Sequence, residues 1–128
     1  MIQKRLLVPD RVRRPPSDGF SWVDRRFLRE YAPRLPGDAI LLYFFLTAVS
    51  DQQGLSFYGD ATIGVRLRLS EQQVVRARDE LLTLDLIAYQ PPLTQVLSVP
   101  RPQRIERGGV SALGELFRGW GSSPRREP

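Results

Sequence analysis

Leu67-Arg68-Leu69-Ser70-Glu71-Gln72-Gln73-Val74-Val75-Arg76-Ala77-Arg78-Asp79-Glu80-Leu81-Leu82-Thr83-Leu84 is the stretch that decides how this chain folds. The Ser70 hydroxyl suits a helix N-cap, and Gln73, three residues later, completes a capping box by returning its side chain to the Ser70 amide. Val74, Ala77, Leu81 and Leu84 recur at i, i+3, i+7 and i+10, which is one buried stripe of a helix over Ser70 to Leu84. The small Ala77 lets that helix lie close against a neighbour. Leu69-Ser70 makes a short turn back to a preceding helix, which Asp60 caps and in which Ala61, Ile63, Gly64 and Leu67 are the apolar positions.

Working outward, Leu55-Ser56-Phe57-Tyr58 has the length and residue types of a short strand. Before it, Pro36-Gly37-Asp38 opens a helix running through Ala39 to about Ser50. That helix is apolar almost all round, as expected of a central buried element. Further upstream, Ser21 as N-cap with Asp24 as a capping-box variant, and Val23, Phe27 and Tyr31 at four-residue spacing, predict a helix over about 21–31 ended by Pro33 and Pro36. Downstream, Leu86 to Gln90 and Gln95 to Val99 read as two strands, joined by Pro91-Pro92-Leu93-Thr94 as a hairpin loop. The order helix, helix, strand, helix, turn, helix, hairpin is that of a winged helix-turn-helix. The expected fold class is therefore mainly α with a small β-hairpin wing, and several independent signals agree on it. The domain spans 19–100, preceded by a basic Arg/Pro-rich arm over 1–18 and followed by a basic tail over 101–128.

The stretch Ala39 to Ile87 resembles the winged-helix domains of replication-initiation-type and related helix-turn-helix proteins of phages, plasmids and other mobile elements. The resemblance rests on Asp51-Gln52-Gln53-Gly54 as a "D-x-x-G" turn, Ser56-Phe57-Tyr58 as an aromatic strand, and Ala61-Thr62-Ile63-Gly64. It also rests on Leu67-Arg68-Leu69-Ser70 as "L-x-L-S", and Leu81-Leu82-Thr83-Leu84-Asp85-Leu86-Ile87 as the closing "L-x-x-L-G-L-I". About half the chain is covered. Two positions depart from the pattern. Asp85 stands where the family has glycine, and aspartate tolerates the left-handed backbone better than most residues, so the turn is expected to survive. The wing loop has no Lys or Arg, where many relatives place a phosphate-binding cation. What the resemblance implies is DNA binding, in replication, transposition or transcriptional control.

The residues themselves support that implication in part. In a helix-turn-helix the N-terminal part of the second helix meets base edges in the major groove. With Val74, Ala77 and Leu81 turned inward, Glu71, Gln72, Val75 and Arg76 fall on the exposed side, with Gln73 and Arg78 near its edge. Gln72 and Arg76 are the expected readers, since Gln pairs bidentately with adenine and Arg with guanine, while Glu accepts from cytosine. Arg66, Arg68 and Arg78 are the expected phosphate clamps, although an ordinary solvated helix face explains the same residues. The capping role already accounts for Gln73. Arg13 and Arg14 of the N-terminal arm suit a phosphate strand or a minor groove, and equally a leader with no fixed partner.

The 128-residue chain carries a net charge of +5, unevenly spread. Residues 20–99 hold eight arginines against nine acids, and the excess sits on the two flanking segments. Basic arms suit a polyanionic partner through counterion release, or serve simply as solubilising tails. Leu113, Leu116, Phe117 and Trp120 recur at i, i+3, i+4 and i+7 and suggest a short helix over 111–120 that docks on a partner or folds back onto this same domain. Helix 21–31 and the central helix, with Phe20 and Trp22, also suit a homodimer.

With no cysteine and no histidine, disulfides, thiolate catalysis and the usual neutral-pH proton shuttle are excluded. No glycine-rich phosphate loop or acidic metal cluster is present, so neither catalytic residues, cofactors nor metals are expected. The longest apolar run is far below the roughly 20 residues of a membrane span, and the N-terminus lacks the apolar stretch of a secretory signal. A cytoplasmic, non-enzymatic protein is the expectation. The rival reading from a different class is a winged-helix adaptor that binds protein and not DNA, favoured by the near-neutral domain and the uncharged wing.

Overall fold

Three helices of unequal polarity pack around one apolar core, and a three-stranded antiparallel sheet closes one side of it. The computed structural model describes residues 3–100. In order come helix α1 (Gly37–Val49), strand β1 (Leu55–Phe57), helix α2 (Asp60–Leu67), helix α3 (Glu71–Thr83), and strands β2 (Ile87–Gln90) and β3 (Leu93–Val96). Helices dominate. The sheet order is β1-β3-β2, so the hairpin's second strand lies in the middle and β1 is stitched to it.

α1 is the hub. Ala39, Leu42, Tyr43 and Leu46 are buried against the rest of the core, which includes Ile63 of α2, Val74, Ala77 and Leu81 of α3, and Leu86 and Ile87 at the start of β2. Burying a side chain of this size contributes roughly 1.5–3 kcal/mol, so this shared cluster fixes α2 and α3 relative to α1. Phe45 meets Tyr58 edge-on with ring centroids 5.2 Å apart, carrying the core across to β1.

The segment before α1 departs from its expected form. Ser21 is not an N-cap: its hydroxyl donates to the Ala48 carbonyl of α1 at 3.3 Å. The helical turns begin instead after Asp24, whose carboxylate accepts the Arg26 amide at 2.8 Å. They continue as a π-helical turn over Phe27–Tyr31. Widening the turn brings both Phe27 and Tyr31 into the core, with Phe27 stacked on Tyr43 at 3.9 Å. Val23, expected on the same apolar face, is exposed because it precedes the helical part. The π-helical turn ends at Tyr31, the expected boundary, just before Pro33. Pro33 itself sits inside a 3-10 turn over Ala32–Arg34, early enough that its missing N–H costs nothing.

The turns around the sheet follow side-chain chemistry. The Asp51 carboxylate accepts from the Gln53 and Leu55 amides at 2.8 and 3.0 Å. Gly54 then takes φ +86°, and a Cβ there would lie 2.6 Å from the Val96 carbonyl oxygen. Only glycine suits both demands. Asp85 takes the left-handed backbone (φ 59°) expected of it. The hairpin is tighter than expected: Gln90 pairs with Leu93, so Pro91 and Pro92 alone form the loop. β3 therefore begins at Leu93, not Gln95, and Thr94 is a buried strand residue instead of a loop residue. Val99 lies beyond the strand but is still buried, and the Tyr31 hydroxyl donates to the Pro100 carbonyl at 3.3 Å, tying that end to the core. No helix among the described residues is long and apolar enough to cross a membrane.

Candidate nucleic-acid interface

An exposed polar helix face belongs to α3, and its placement begins with the turn from α2. The Arg68 and Leu69 amides both donate to the Gly64 carbonyl, the latter at 2.9 Å, while Arg68 itself is left-handed at φ 61°. The turn is so close that a Cβ on Gly64 would stand 2.6 Å from the Leu69 carbonyl oxygen. Ser70 then caps α3: its hydroxyl accepts the Gln73 amide at 3.0 Å, and the Gln73 side chain accepts the Ser70 amide at 2.8 Å. Val74, Ala77 and Leu81 are buried and Leu84 is half-buried, as the stripe requires. Rotation of α3 about its own axis is thereby fixed.

On the outer side Glu71, Gln72, Val75 and Arg76 are exposed, and Gln73 is half-buried by its capping role. The four exposed residues meet Asp60 of α2 in a shallow concavity lined by Asp60, Glu71, Gln72, Val75 and Arg76. Neither Gln72 nor Arg76 is engaged in a side-chain hydrogen bond or ion pair among the described residues, so their amide and guanidinium are available to a ligand. Arg66 and Arg68 lie at the α2 end of the turn, both exposed. The concavity therefore offers a guanidinium, an amide, an apolar methyl surface and two carboxylates within a small area. Such a set matches base edges in a groove better than a phosphate, which the Glu71 carboxylate opposes.

Arg78 is a correction. Sequence reasoning set it at the edge of this face as a phosphate clamp, but its side chain is only 7% exposed and pairs with the Asp60 carboxylate. Its guanidinium also lies over the Tyr89 ring, 4.0 Å from the centroid. Arg78 thus works inside the domain, joining the first turn of α2, the middle of α3 and strand β2. A desolvated cation over an aromatic face contributes up to about 2 kcal/mol. Asp60 is correspondingly more than a cap: it is the first residue of α2, with Gly59 at the N-cap position, and it holds the arginine that orients α3. An isolated pair eighteen positions apart leaves no pattern in a sequence, and Asp60 was legible only as a helix start.

The β2–β3 hairpin carries no lysine or arginine, and its exposed polar residues are Gln90 and Gln95. Arg13 and Arg14 lie on the exposed N-terminal segment, in which no residue from 3 to 20 is buried. The structure does not bring them to α3 through any hydrogen bond; the first side-chain link from this segment to the body is Ser21 to Ala48. Leu113, Leu116, Phe117 and Trp120 lie outside the described residues. Compared with family models, curated proteins and solved structures, the chain matches none. The site is accordingly read from its own geometry.

Proposed function

We propose that the protein binds duplex DNA as a winged helix-turn-helix, with α3 in the major groove and the basic N-terminal arm on the backbone. The observation that carries this is the unengaged Gln72–Val75–Arg76 face, on a helix whose rotation and angle are fixed by the Ser70 cap, the Gly64 turn and the Arg78–Asp60 pair. The sheet order β1-β3-β2 and the placement of α2 and α3 support the winged-helix assignment. Arg76 suits guanine, Gln72 adenine, Glu71 the cytosine amino group and Val75 a thymine methyl. Arg66 and Arg68 flank the helix for phosphate contact. The sequence resemblance favours a role in a mobile element, in replication, transposition or transcription.

A second reading has its own support. Asp60 and Glu71 border the concavity and the hairpin lacks cations, which suits a protein adaptor better than a self-sufficient DNA clamp. A gel-shift salt titration with a pooled random duplex separates the two. Neutralising five or six phosphates gives a log–log slope of about −4 to −6. Arg76→Ala is expected to relax sequence preference by about 1–3 kcal/mol at one base pair while barely changing random-duplex affinity. No binding of the pooled duplex at low salt would refute the DNA reading and leave the adaptor.

A further inference from the structure

We infer that the protein self-associates through the outer face of α1, as a two-fold pair of antiparallel α1 helices. This stands apart from the DNA reading. The thirteen residues of α1 include a single charged side chain, Asp38. A helix apolar all round is ordinarily enclosed on every side. Here the inner face is enclosed, but Gly37, Leu41, Phe44 and Ala48 are exposed or only partly covered along the opposite side. Phe44 is 60% exposed.

Three features favour a second copy as the cover. The first is spacing: these positions are separated by four, three and four residues, the seam of a helix pair. The second is symmetry. The order small, large, large, small reads the same in reverse, so an antiparallel partner sets Gly37 against Ala48 and Leu41 against Phe44, twice over. Small residues at both ends let the backbones approach while the bulk interlocks at the centre, and the opposed helix dipoles are favourable. An unrelated partner would impose no such palindrome.

The third is area. The Ser21–Ala48 hydrogen bond holds the uncharged run Phe20 to Val23 beside the C-terminal end of α1, where Phe20 is 67% and Trp22 74% exposed. With whole aromatic side chains of about 150–250 Å², the apolar patch formed by Phe20, Trp22, Val23, Leu41, Phe44 and Ala48 amounts to something on the order of 600 Å². The largest apolar patch on a typical monomer is about 300–600 Å², and a stable interface takes about 800 Å² from each partner. The patch lies at the top of the range typical of monomers and approaches what a dimer needs.

Sedimentation of the full chain over a concentration series spanning about 100-fold tests this, with two sets of variants. The wild type is expected to move from monomer to dimer. Phe44→Asp, at an exposed position, should raise the dissociation constant by about 30-fold or more, the scale of losing one aromatic anchor, with an unchanged far-UV spectrum. The chain has no cysteine, and a Cβ on Gly37 meets nothing within 4 Å, so Gly37→Cys and Ala48→Cys report orientation without disturbing the fold. Oxidising an equal mixture of the two should give a crosslinked dimer joining 37 to 48, whereas each alone should give little. A wild type that stays monomeric overturns the proposal, as does a dimer indifferent to Phe44→Asp. A monomer that dimerises only after removal of 101–128 shows the chain's own tail covering the face, and also overturns it. Crosslinking of each cysteine variant to itself in preference to the mixture refutes the antiparallel arrangement.

Discussion

Removing the carboxylate partner of Arg78 should cost more than removing Arg78 itself, and the difference follows from solvent access. The arginine side chain is 7% exposed and Asp60 28% exposed. Asp60→Ala leaves a guanidinium enclosed with only the Tyr89 ring for company, 4.0 Å away. Stranding one member of a buried pair costs about 3–5 kcal/mol; the Tyr89 face holds the expected loss to the lower end, about 3 kcal/mol. Arg78→Met leaves a carboxylate that water can reach, and the methionine refills the volume of the stem. Losing one charged hydrogen bond and a cation–π contact then costs about 1–2 kcal/mol. Urea denaturation resolves the gap, because a slope of about 1–3 kcal/mol per molar turns it into a midpoint difference near 1 M. The same variants test the placement of Arg78 in binding. A phosphate clamp would flatten the salt dependence by about 0.9 on its loss, whereas an interior Arg78 leaves the slope unchanged in Arg78→Met. Stability equal to wild type with a flattened slope would refute the interior role. So would Asp60→Ala being the milder of the two.

Gly64→Ala sets two effects against each other: helix propensity favours alanine by about 1 kcal/mol, but the new Cβ would stand 2.6 Å from the Leu69 carbonyl oxygen. The steric clash is expected to win, with a net loss of about 1–2 kcal/mol by urea denaturation; Gly37→Ala, in open space, should be neutral or stabilising. Hydrogen bonds from Arg26 hold the Asp24 carboxyl below its ordinary pKa of 3.8. Its contribution is therefore present above that value and is lost as pH falls through the depressed one. Protection factors of the Arg26 to Tyr31 amides, measured by NMR and corrected for the intrinsic pH dependence of exchange, should fall on acidification in wild type and lose that pH dependence in Asp24→Asn. Deleting residues 1–18, which contain no buried side chain among those described, should leave the urea midpoint unchanged but reduce the salt slope of duplex binding by about 3–4, from loss of up to five cations.

What could be read from the sequence was local. The Ser70–Gln73 box, the Val74–Ala77–Leu81 stripe and the Asp85 turn each depend on residues within a few positions, and each is present in the structure. The exposed positions of Glu71, Gln72, Val75 and Arg76 followed directly from that stripe. What misled was either competition between caps or contact between distant elements. Ser21 and Asp24 are both good caps; the backbone chose Asp24 because Ser21 is held by Ala48, twenty-seven residues away. Helical periodicity placed Arg78 at the edge of the open face, but the α2 terminus and strand β2 close over that edge. The β3 register was misjudged by two residues because Pro91-Pro92 makes a shorter loop than the polar Thr94 suggested.

These placements divide the chain's electrostatics in a way that bears on the proposed binding. Arg78 and Arg26 are both neutralised internally, by Asp60 and Asp24. Removing two matched pairs leaves the domain's slight acidic excess unchanged but leaves fewer cations to face a ligand. Arg66, Arg68 and Arg76 are then the available cations nearest α3, against Glu71 at the concavity, where Asp60 is already paired with Arg78. Three cations beside one unpaired carboxylate give only a modest long-range attraction, since repulsion from Glu71 offsets part of the pull on every phosphate. Affinity must come from elsewhere on the chain, and the N-terminal arm carries five of its cations. On the DNA reading the arm supplies a sequence-blind, salt-sensitive attraction. The Glu71 carboxylate at α3 rejects a misplaced phosphate and so sharpens the choice of base edge. A self-associating domain would double both contributions, because two arms and two α3 faces would meet one duplex. The individual face can then remain weak.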